Sequence, residues 1–504
     1  MVSLAAPARP LPGRPPRTAG SPWRPEALLL GIAGVLVAGW HADVPALWRD
    51  EAASVGAALR TWPALGGMVE RVDAVHAAYY AFLHVWFAAV GYTPLTLRLP
   101  SVLAAGGTAA LVTVLGARLA SRRAGIAAGA AAAVLPSIVW AGGEGRSYAI
   151  SALLAAAATL ALLHALGPHR SALAAAGSWA GHAALLALAA VVFLDDLLLA
   201  AAHVVTALLL GRGRQRFAGL ASAVAATLAV LPLLRLATAQ TAQVAWIAAD
   251  VPPSPWHQVA VEQWFRSDLV AKAVLVVLVA GAIAAVLGRR VPGRALAVAL
   301  PWALLPPAGL LAAGLVATPV YWPRYVTFTA PAIALLVGLA AAALPRLLGV
   351  VAVLAIAATA VPQIVVDRQP RAKAGSEMGD AAALVAAERR PSDGPSGIVF
   401  GQYNGIEGVT TRIEAIAYPG DFRGLRDLTA TGPLADSTAL FGSDIGTADA
   451  VPRMRSLTTV WFLLDLDSQP KTVVPAAAMK AAGLVQTGTF RTRGSMLLRW
   501  SRVR

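Results

Sequence analysis

"PALWRDEAASVG" (residues 45–56) sets two adjacent carboxylates, Asp50 and Glu51, behind an arginine and a tryptophan, directly after the first strongly apolar run of the chain. Only 26 Asp and Glu stand against 41 Lys and Arg in the 504 residues. Two of these scarce acids side by side at the end of a hydrophobic segment need a reason. One reading is helix chemistry: an aspartate ahead of "EAASVGAALR" suits an N-cap, and acids favour the first turn. The other is a carboxylate that takes a proton from a substrate hydroxyl or clamps it.

The rest of the chain says where this pair lies. Hydrophobic residues make up 58% and charged residues 13% of the sequence, and the mean hydropathy is +0.65. A soluble globular chain does not carry so much apolar surface. Apolar runs of about 18–22 residues recur, the length that crosses a bilayer as helix. They are continuous Ala/Leu/Val runs without alternation, which excludes a β-barrel. The fold class expected is an α-helical polytopic membrane protein with a small C-terminal α/β domain. Spans are expected near 25–42, 98–118, 124–141, 147–166, 171–193, 197–211, 217–238, 269–288, 295–316, 325–344 and 347–365, about eleven in all.

The net charge of +15 would suit nucleic acid, but the arginines sit in short loops between apolar runs, as the positive-inside rule places them. No nucleic-acid partner is expected. The chain has no cysteine, so disulfides and thiolate chemistry are excluded. There is also no Walker loop, no GxGxxG after a strand and no HExxH, so soluble nucleotide chemistry has no site.

The segment "VHAAYYAFLHVWFAAVG" (75–91) is ambiguous between a span and an interfacial helix. The arginines decide. With 75–91 left out, the cytoplasmic loops collect Arg118/Arg122/Arg123, Arg170, Arg212/Arg214/Arg216, Arg289/Arg290/Arg294 and Arg346. Counted as a span, it puts those clusters outside, against the rule. Residues 75–91 are therefore expected as a juxtamembrane helix, and residues 1–24 as a disordered cytoplasmic tail before a signal anchor. Residues 25–365 form the membrane domain and 366–504 an extracytoplasmic domain at the plasma membrane. In the latter, a helix is expected over 376–390. Strands are expected at "SGIVF" (396–400), "TALFGS" (438–443) and "TTVWFLLDLD" (458–467), then a helix and a hairpin turning at Arg493-Gly494.

On this topology the remaining ionisable groups converge on the outer side. Asp73 and His76, with Tyr79 and Tyr80, read as a polar helix edge or as a rim for phosphate or sugar. Glu144 and Arg146 share one turn, where a salt bridge between them is one reading. Arg324 opens a late span in "VYWPRYVTF". A guanidinium there runs against the charge bias and suits an oxyanion. Asp195-Asp196 reads as the cap of the next span. The loop 239–268, with Trp246, Trp256, His257, Trp264 and Arg266, reads as an interfacial loop or a lid over a lipid-linked substrate.

The order of these pieces is an acidic pair opening the first outer loop, then "VHAAYYAFLHVWFAAVG" running on to "LRLPSVLAAG", then "EGRSYAI" and finally "PRYVTFTAPAIALL". It resembles the GT-C superfamily of membrane glycosyltransferases. Within it, the chain is similar to the protein O-mannosyltransferase and aminoarabinose-transferase branch, and above all to actinobacterial mannosyltransferase proteins. The resemblance covers roughly residues 25–345. It implies an inverting transfer of a sugar, mannose by family default, from a polyprenyl phosphate to an acceptor outside the cytoplasm. It implies Asp50 as the catalytic carboxylate with Glu51 beside it. Donor-phosphate ligands would be Arg146, Arg324, His76, Tyr148 and Tyr325. Substrate contacts would come from Asp73, Tyr79, Tyr80, Glu144, Trp256 and His257. The family's "HPPLYY"-like block stands here as "VHAAYY", without the proline pair, and its "RxxLLD" motif is absent. No metal-ligand set is read and no cofactor is assigned, a divalent metal staying open. The partners implied are a polyprenyl-phosphate-linked sugar, a glycan, lipoglycan or protein acceptor, and membrane lipid. Arabinosyl transfer by the same mechanism is an alternative. A transporter or flippase for a lipid-linked sugar would place charges near mid-span, and this chain gathers them on one face.

Overall fold

The computed structural model describes residues 25–249, 254–289, 291–317, 319–403, 408–466 and 475–502; the tail expected over 1–24 lies outside them. The membrane part runs α1 (Pro25–Gly39), α2 (Arg49–Ala58), α3 (Trp62–Val69), α4 (Ala77–Val90), α5 (Pro94–Leu119), α6 (Arg122–Val134), α7 (Pro136–Gly142), α8 (Tyr148–Ala165) and α9 (Ala172–Val192). It continues through α10 (Leu198–Leu210), α11 (Arg214–Ala239), the short turns α12 (Trp246–Ala249) and α13 (Pro255–His257), then α14 (Asp268–Leu287), α15 (Gly293–Val316), α16 (Ala330–Ala343) and α17 (Arg346–Val366). Among the described residues, eight helices are long and apolar enough to cross a membrane, or nine when α6 and α7, bent by 56°, count as one span. The bend falls where Pro136 withdraws an amide from the ladder. The other two expected spans are the 15-residue α1 and the 13-residue α10. Large side chains such as Leu28, Leu36, Leu228, Val276 and Leu354 point outward, as a lipid-facing surface requires.

The expected juxtamembrane segment is a helix, α4, entered through a single 3-10 turn at Ala74–His76. It packs on α2 and on the side of α5 and α9. The C-terminal part adds α18 (Met378–Glu388), β1 (Ser396–Phe400), α19 (Arg412–Ala417), β2 (Arg426–Asp427), α20 (Val451–Met454), β3 (Thr459–Asp465), α21 (Ala476–Ala481), β4 (Leu484–Arg491) and β5 (Ser495–Arg502). Its sheet runs β2-β1-β3-β5-β4. β1 pairs parallel with β2 and β3, and β3, β5 and β4 are antiparallel. Every residue of β3 is buried, which fits a central strand covered on both faces.

"TALFGS" is not a strand. Arg60, itself buried, donates to the carbonyls of Ser437 (3.0 Å), Ala439 (2.6 Å) and Leu440 (2.8 Å). A guanidinium thus takes the acceptors that a neighbouring strand would use, and Gly442 turns the chain at φ +81°. The same contacts tie the C-terminal domain to the first loop. Leu47, Val55, Met68, Tyr80 and Leu83 share one core with Met378, Ile413 and Ile416, and Ser376 Oγ donates to the Leu47 carbonyl at 2.6 Å. The loop between α1 and α5 is therefore sandwiched between helix ends and the C-terminal domain. At the opposite end lie the arginine-rich turns, with Arg122 paired to Glu26 at 2.9 Å.

Candidate active site

The two acids of "WRDE" part company within one helical turn. α2 starts at Arg49, its N-cap is Trp48, and no side chain caps it. Asp50 is thus a first-turn residue and not the cap the sequence allowed. Its Oδ2 lies 3.2 Å from Arg324 Nη2, with both side chains mostly buried. Glu51 faces the other way. Its carboxylate is fully buried and takes a two-pronged bond from Arg98, at 2.7 Å from Nε and 2.6 Å from Nη2. It also accepts from the Gly145 amide at 2.7 Å. Burial works to raise this carboxyl, but the Arg98 guanidinium and the Gly145 amide hold it below the usual range.

The turn "GGEGRS" (142–147) brings the second group. Its glycines are steric requirements. A Cβ on Gly143 would meet the Arg368 guanidinium at 2.5 Å, and one on Gly145 would meet Leu97 at 2.5 Å. This close fit fixes Arg146, which is 5% exposed. Its Nη1 donates to the Asp50 carbonyl (3.2 Å), Ser54 Oγ (3.4 Å) and Tyr80 Oη (3.0 Å). Tyr80 in turn donates to Asp73 Oδ2 at 2.6 Å. Arg146 Nε has no partner among the described residues. Glu144 does not pair with Arg146. It lies 3.7 Å from Lys373 Nζ, both side chains fully buried. Burial pushes Glu144 up to about 7 and pulls Lys373 down to about 8.

Arg324 comes from the 3-10 turn Pro323–Thr329 that leads into α16. It lies over the rings of Trp48 (5.1 Å) and Tyr325 (5.5 Å), and its Nε has no partner among the described residues. Phe193 stacks on His76 at 5.8 Å and meets Tyr148 and Tyr325. His76 is 4% exposed, and its Nδ1 has no partner among the described residues. Burial and the two arginines lower its pKa, so the ring is neutral.

These groups border one cavity of about 950 Å³. Arg49, Asp50, Asp73, His76, Arg146 and Arg324 line it. Leu234, Ala237, Trp246, Ala313 and Val320 line it too, with Thr238, Gln240, Thr241 and Gln243 among them. Leu440 and Phe441 of the C-terminal domain also reach it, which gives "TALFGS" a place at the cavity mouth. Among the described residues, no group of His, Asp or Glu is set to hold a metal ion.

Tyr80 stands behind Arg146, and Tyr148 behind the cavity wall with Tyr325 at 6.4 Å; Tyr79 is buried in the core that α4 shares with α2. Glu51 and Glu144 are sealed off from the cavity. Trp256 and His257 are not brought to it: Trp256 is 81% exposed, and His257 sits 3.2 Å from Asp268. Trp246 takes the position that the sequence reading gave to Trp256. Asp195 and Asp196 cap nothing, because α10 starts after Leu197 without a side-chain cap. Asp195 lines the cavity, while Asp196 accepts from Ser151 at 2.6 Å. Arg98 and Lys373 escaped the sequence reading. Their signal was present: Arg98 interrupts an apolar run, and Lys373 is one of four lysines in the chain.

No protein-family model matches the chain, and no curated protein matches its sequence. Solved structures do. ArnT from Cupriavidus metallidurans in the apo state superposes with a TM-score of 0.57 at 13% identity, covering 94% of this chain and 97% of that one. The same protein bound to undecaprenyl phosphate gives 0.55 at 13% identity over the same shares. The Archaeoglobus fulgidus oligosaccharyltransferase, in complex with Zn and sulfate, gives 0.50 at 11% identity, covering 95% of this chain and 73% of that one. The chain is an α-helical, multi-pass membrane protein with a GT-C-like fold and a small C-terminal sheet domain.

Proposed function

We propose that the chain is an inverting glycosyltransferase that moves a sugar from a polyprenyl phosphate to an extracytoplasmic acceptor. Mannose is the first donor to test, and a cell-envelope glycan, lipoglycan or protein is the acceptor. One observation carries this: a carboxylate, Asp50, and two arginines, Arg146 and Arg324, converge on a cavity of about 950 Å³ that apolar side chains also line. A lipid-linked phosphate sugar combines an anionic, a polar and an apolar part.

In this reading Asp50 takes the proton of the acceptor hydroxyl as that oxygen attacks the anomeric carbon. The bond from that carbon to the phosphate oxygen breaks, and its electron pair stays on the phosphate. Arg146 and Arg324 receive the growing charge, and the neutral His76 offers an N–H. A single displacement inverts the anomeric centre. The apolar lining residues Leu234, Ala237, Val244, Trp246, Ala313 and Val320 take the start of the polyprenyl chain. The arginine-rich turns at the far end support a cytoplasmic placement of that end, with the cavity outside.

The purified chain is incubated with labelled polyprenyl-phosphate-mannose, or the arabinose equivalent, and membrane acceptors. Transfer of label to an acceptor, with inversion, is expected from one of the two donors. No transfer from either, by a protein that binds neither donor, overturns the reading. Because the chain lacks cysteine, the face can be tested separately. Cysteines at the exposed positions Glu70 and Asp436 should react with an impermeant reagent in intact cells, and one at Arg214 should not.

A further inference from the structure

Asp195 has no part in the chemistry above, yet it borders the same cavity. It lies in the one-turn segment Leu194–Leu197 between α9 and α10. Its neighbours in the cavity wall are Phe193 and Leu194, with Ala313 and Val320 also lining the space. Burial pushes its carboxyl up to about 7. Asp196 next to it accepts from Ser151 on Oδ1; it is fully buried and does not line the cavity.

A half-buried carboxyl beside Phe193 and Leu194 is costly unless something donates to it. Among the described residues it caps no helix and closes no salt bridge. The same cavity lining carries His76, stacked on Phe193 at 5.8 Å, and its buried Nδ1 has no partner among the described residues. A half-buried carboxyl and an unpartnered imidazole nitrogen thus lie near one aromatic ring, in the cavity that Arg146 and Arg324 also line. A polyhydroxylated ring beside the donor phosphate supplies what is missing. Vicinal hydroxyls donate to a carboxylate oxygen pair, and a hydroxyl can satisfy a neutral imidazole.

We propose that Asp195 is the subsite for ring hydroxyls of the donor's sugar, and so helps set which sugar is accepted. The inference rests on the donor reading of the cavity. It makes Asp195 a specificity residue, distinct from the base Asp50.

The test is a binding comparison on the full chain in nanodiscs, read by tryptophan fluorescence. The probes are polyprenyl-phosphate-mannose, its 2-deoxy and 3-deoxy analogues, and sugar-free polyprenyl phosphate. The wild type should bind the mannosyl carrier more tightly than the sugar-free carrier, and lose about tenfold with at least one deoxy analogue, the worth of a hydrogen bond to a charged group. Asp195→Leu should abolish that discrimination and bind sugar-free carrier within about twofold of wild type. A structural role makes a different forecast: Asp195→Leu would then lower the melting temperature, whereas removal of an unsatisfied carboxyl should keep or raise it. Asp195→Asn should fall between the two in discrimination. Unchanged discrimination in Asp195→Leu overturns the subsite, as does an equal loss for glycosylated and sugar-free carrier. An effect confined to the acceptor's KM also overturns it. If the wild type binds sugar-free carrier but does not distinguish the mannosyl form, the subsite falls while the donor reading stands. If it binds neither, both fall.

Discussion

Two clusters of charge grow from the same turn of α2 and meet opposite fates. On one side Asp50, Arg324 and Arg146 line a cavity, and both arginines keep a guanidinium nitrogen without a partner among the described residues. On the other side Glu51 and Arg98 are sealed, and their bonds to each other, to the Gly145 amide and to nearby carbonyls fill most of their capacity. The residue types are the same. What differs is the number of unmet hydrogen bonds. A closed set of buried charges holds a structure together, and an open one keeps hydrogen-bonding capacity that something else can use. Adjacent acids that look alike in sequence are thereby assigned to different work.

The sharpest way to break this contrast is to neutralise one acid at a time. Asp50→Asn keeps size and polarity, and since Asp50 is not the helix cap, its melting temperature should match wild type. On the proposed chemistry its turnover should fall roughly 10²–10⁴-fold. Turnover within about threefold of wild type would move the base elsewhere, with Asp73 the next carboxylate on the cavity wall. The opposite pattern belongs to the sealed side. Arg98→Leu leaves Glu51 buried without its partner, which costs about 3–5 kcal/mol. Thermal unfolding of Arg98→Leu should show a large loss, and Glu51→Gln a loss in the same direction. A stable Arg98→Leu protein would mean that this pair is not what holds α2 against the 142–147 turn.

A smaller effect sharpens the open side. Arg324→Lys keeps a positive charge but loses the fork that can reach Asp50 and a phosphate together. A lost charge-assisted hydrogen bond is worth about 1.5–3 kcal/mol, so kcat/KM should fall about tenfold or more while folding is retained. Donor affinity and turnover both equal to wild type would remove Arg324 from the site.

Much of this was legible in the sequence, and the reasons it was are physical. Each expected span has a helix at its place, because hydrophobic length is a local property. Asp50, Arg146 and Arg324 stood out because each defies a local rule, as scarce acids or as arginines against the charge bias. The sealed partners were harder. Arg98 and Lys373 matter through contacts 47 and 229 residues away in sequence, and nothing local marks such a pairing. "TALFGS" failed for the same reason: its strand-like pattern is genuine, but Arg60, nearly 380 positions earlier, takes its carbonyls. Trp256 and Trp246 are equally plausible lid residues by composition, and only tertiary placement separates them.

The last and smallest expected effect concerns Glu144 and Lys373, a sealed pair that is not well satisfied. They lie 3.7 Å apart, and neither makes a hydrogen bond to a described residue. Glu144 is raised to about 7 from an ordinary 4.5, so between those values the folded chain holds a proton that the unfolded chain has released. Stability from this group is complete below about 4.5 and is lost as pH rises to about 7. Lys373 is lowered to about 8 from 10.5, so its contribution is missing below about 8 and returns toward 10.5. Together they leave the pair least favourable between about 7 and about 8. Replacing a buried ion pair with neutral groups of similar shape is often neutral or stabilising. A Glu144→Gln/Lys373→Met double variant should therefore gain in melting temperature relative to wild type, and the gain should be larger at pH 7.5 than at pH 5.5. Asp195 and Asp196 are raised in the same direction, but they are common to both proteins and cancel in the difference. A gain that does not grow with pH, or a clear loss at pH 7.5, would place this pair with Glu51 and Arg98 as a bond the turn cannot do without.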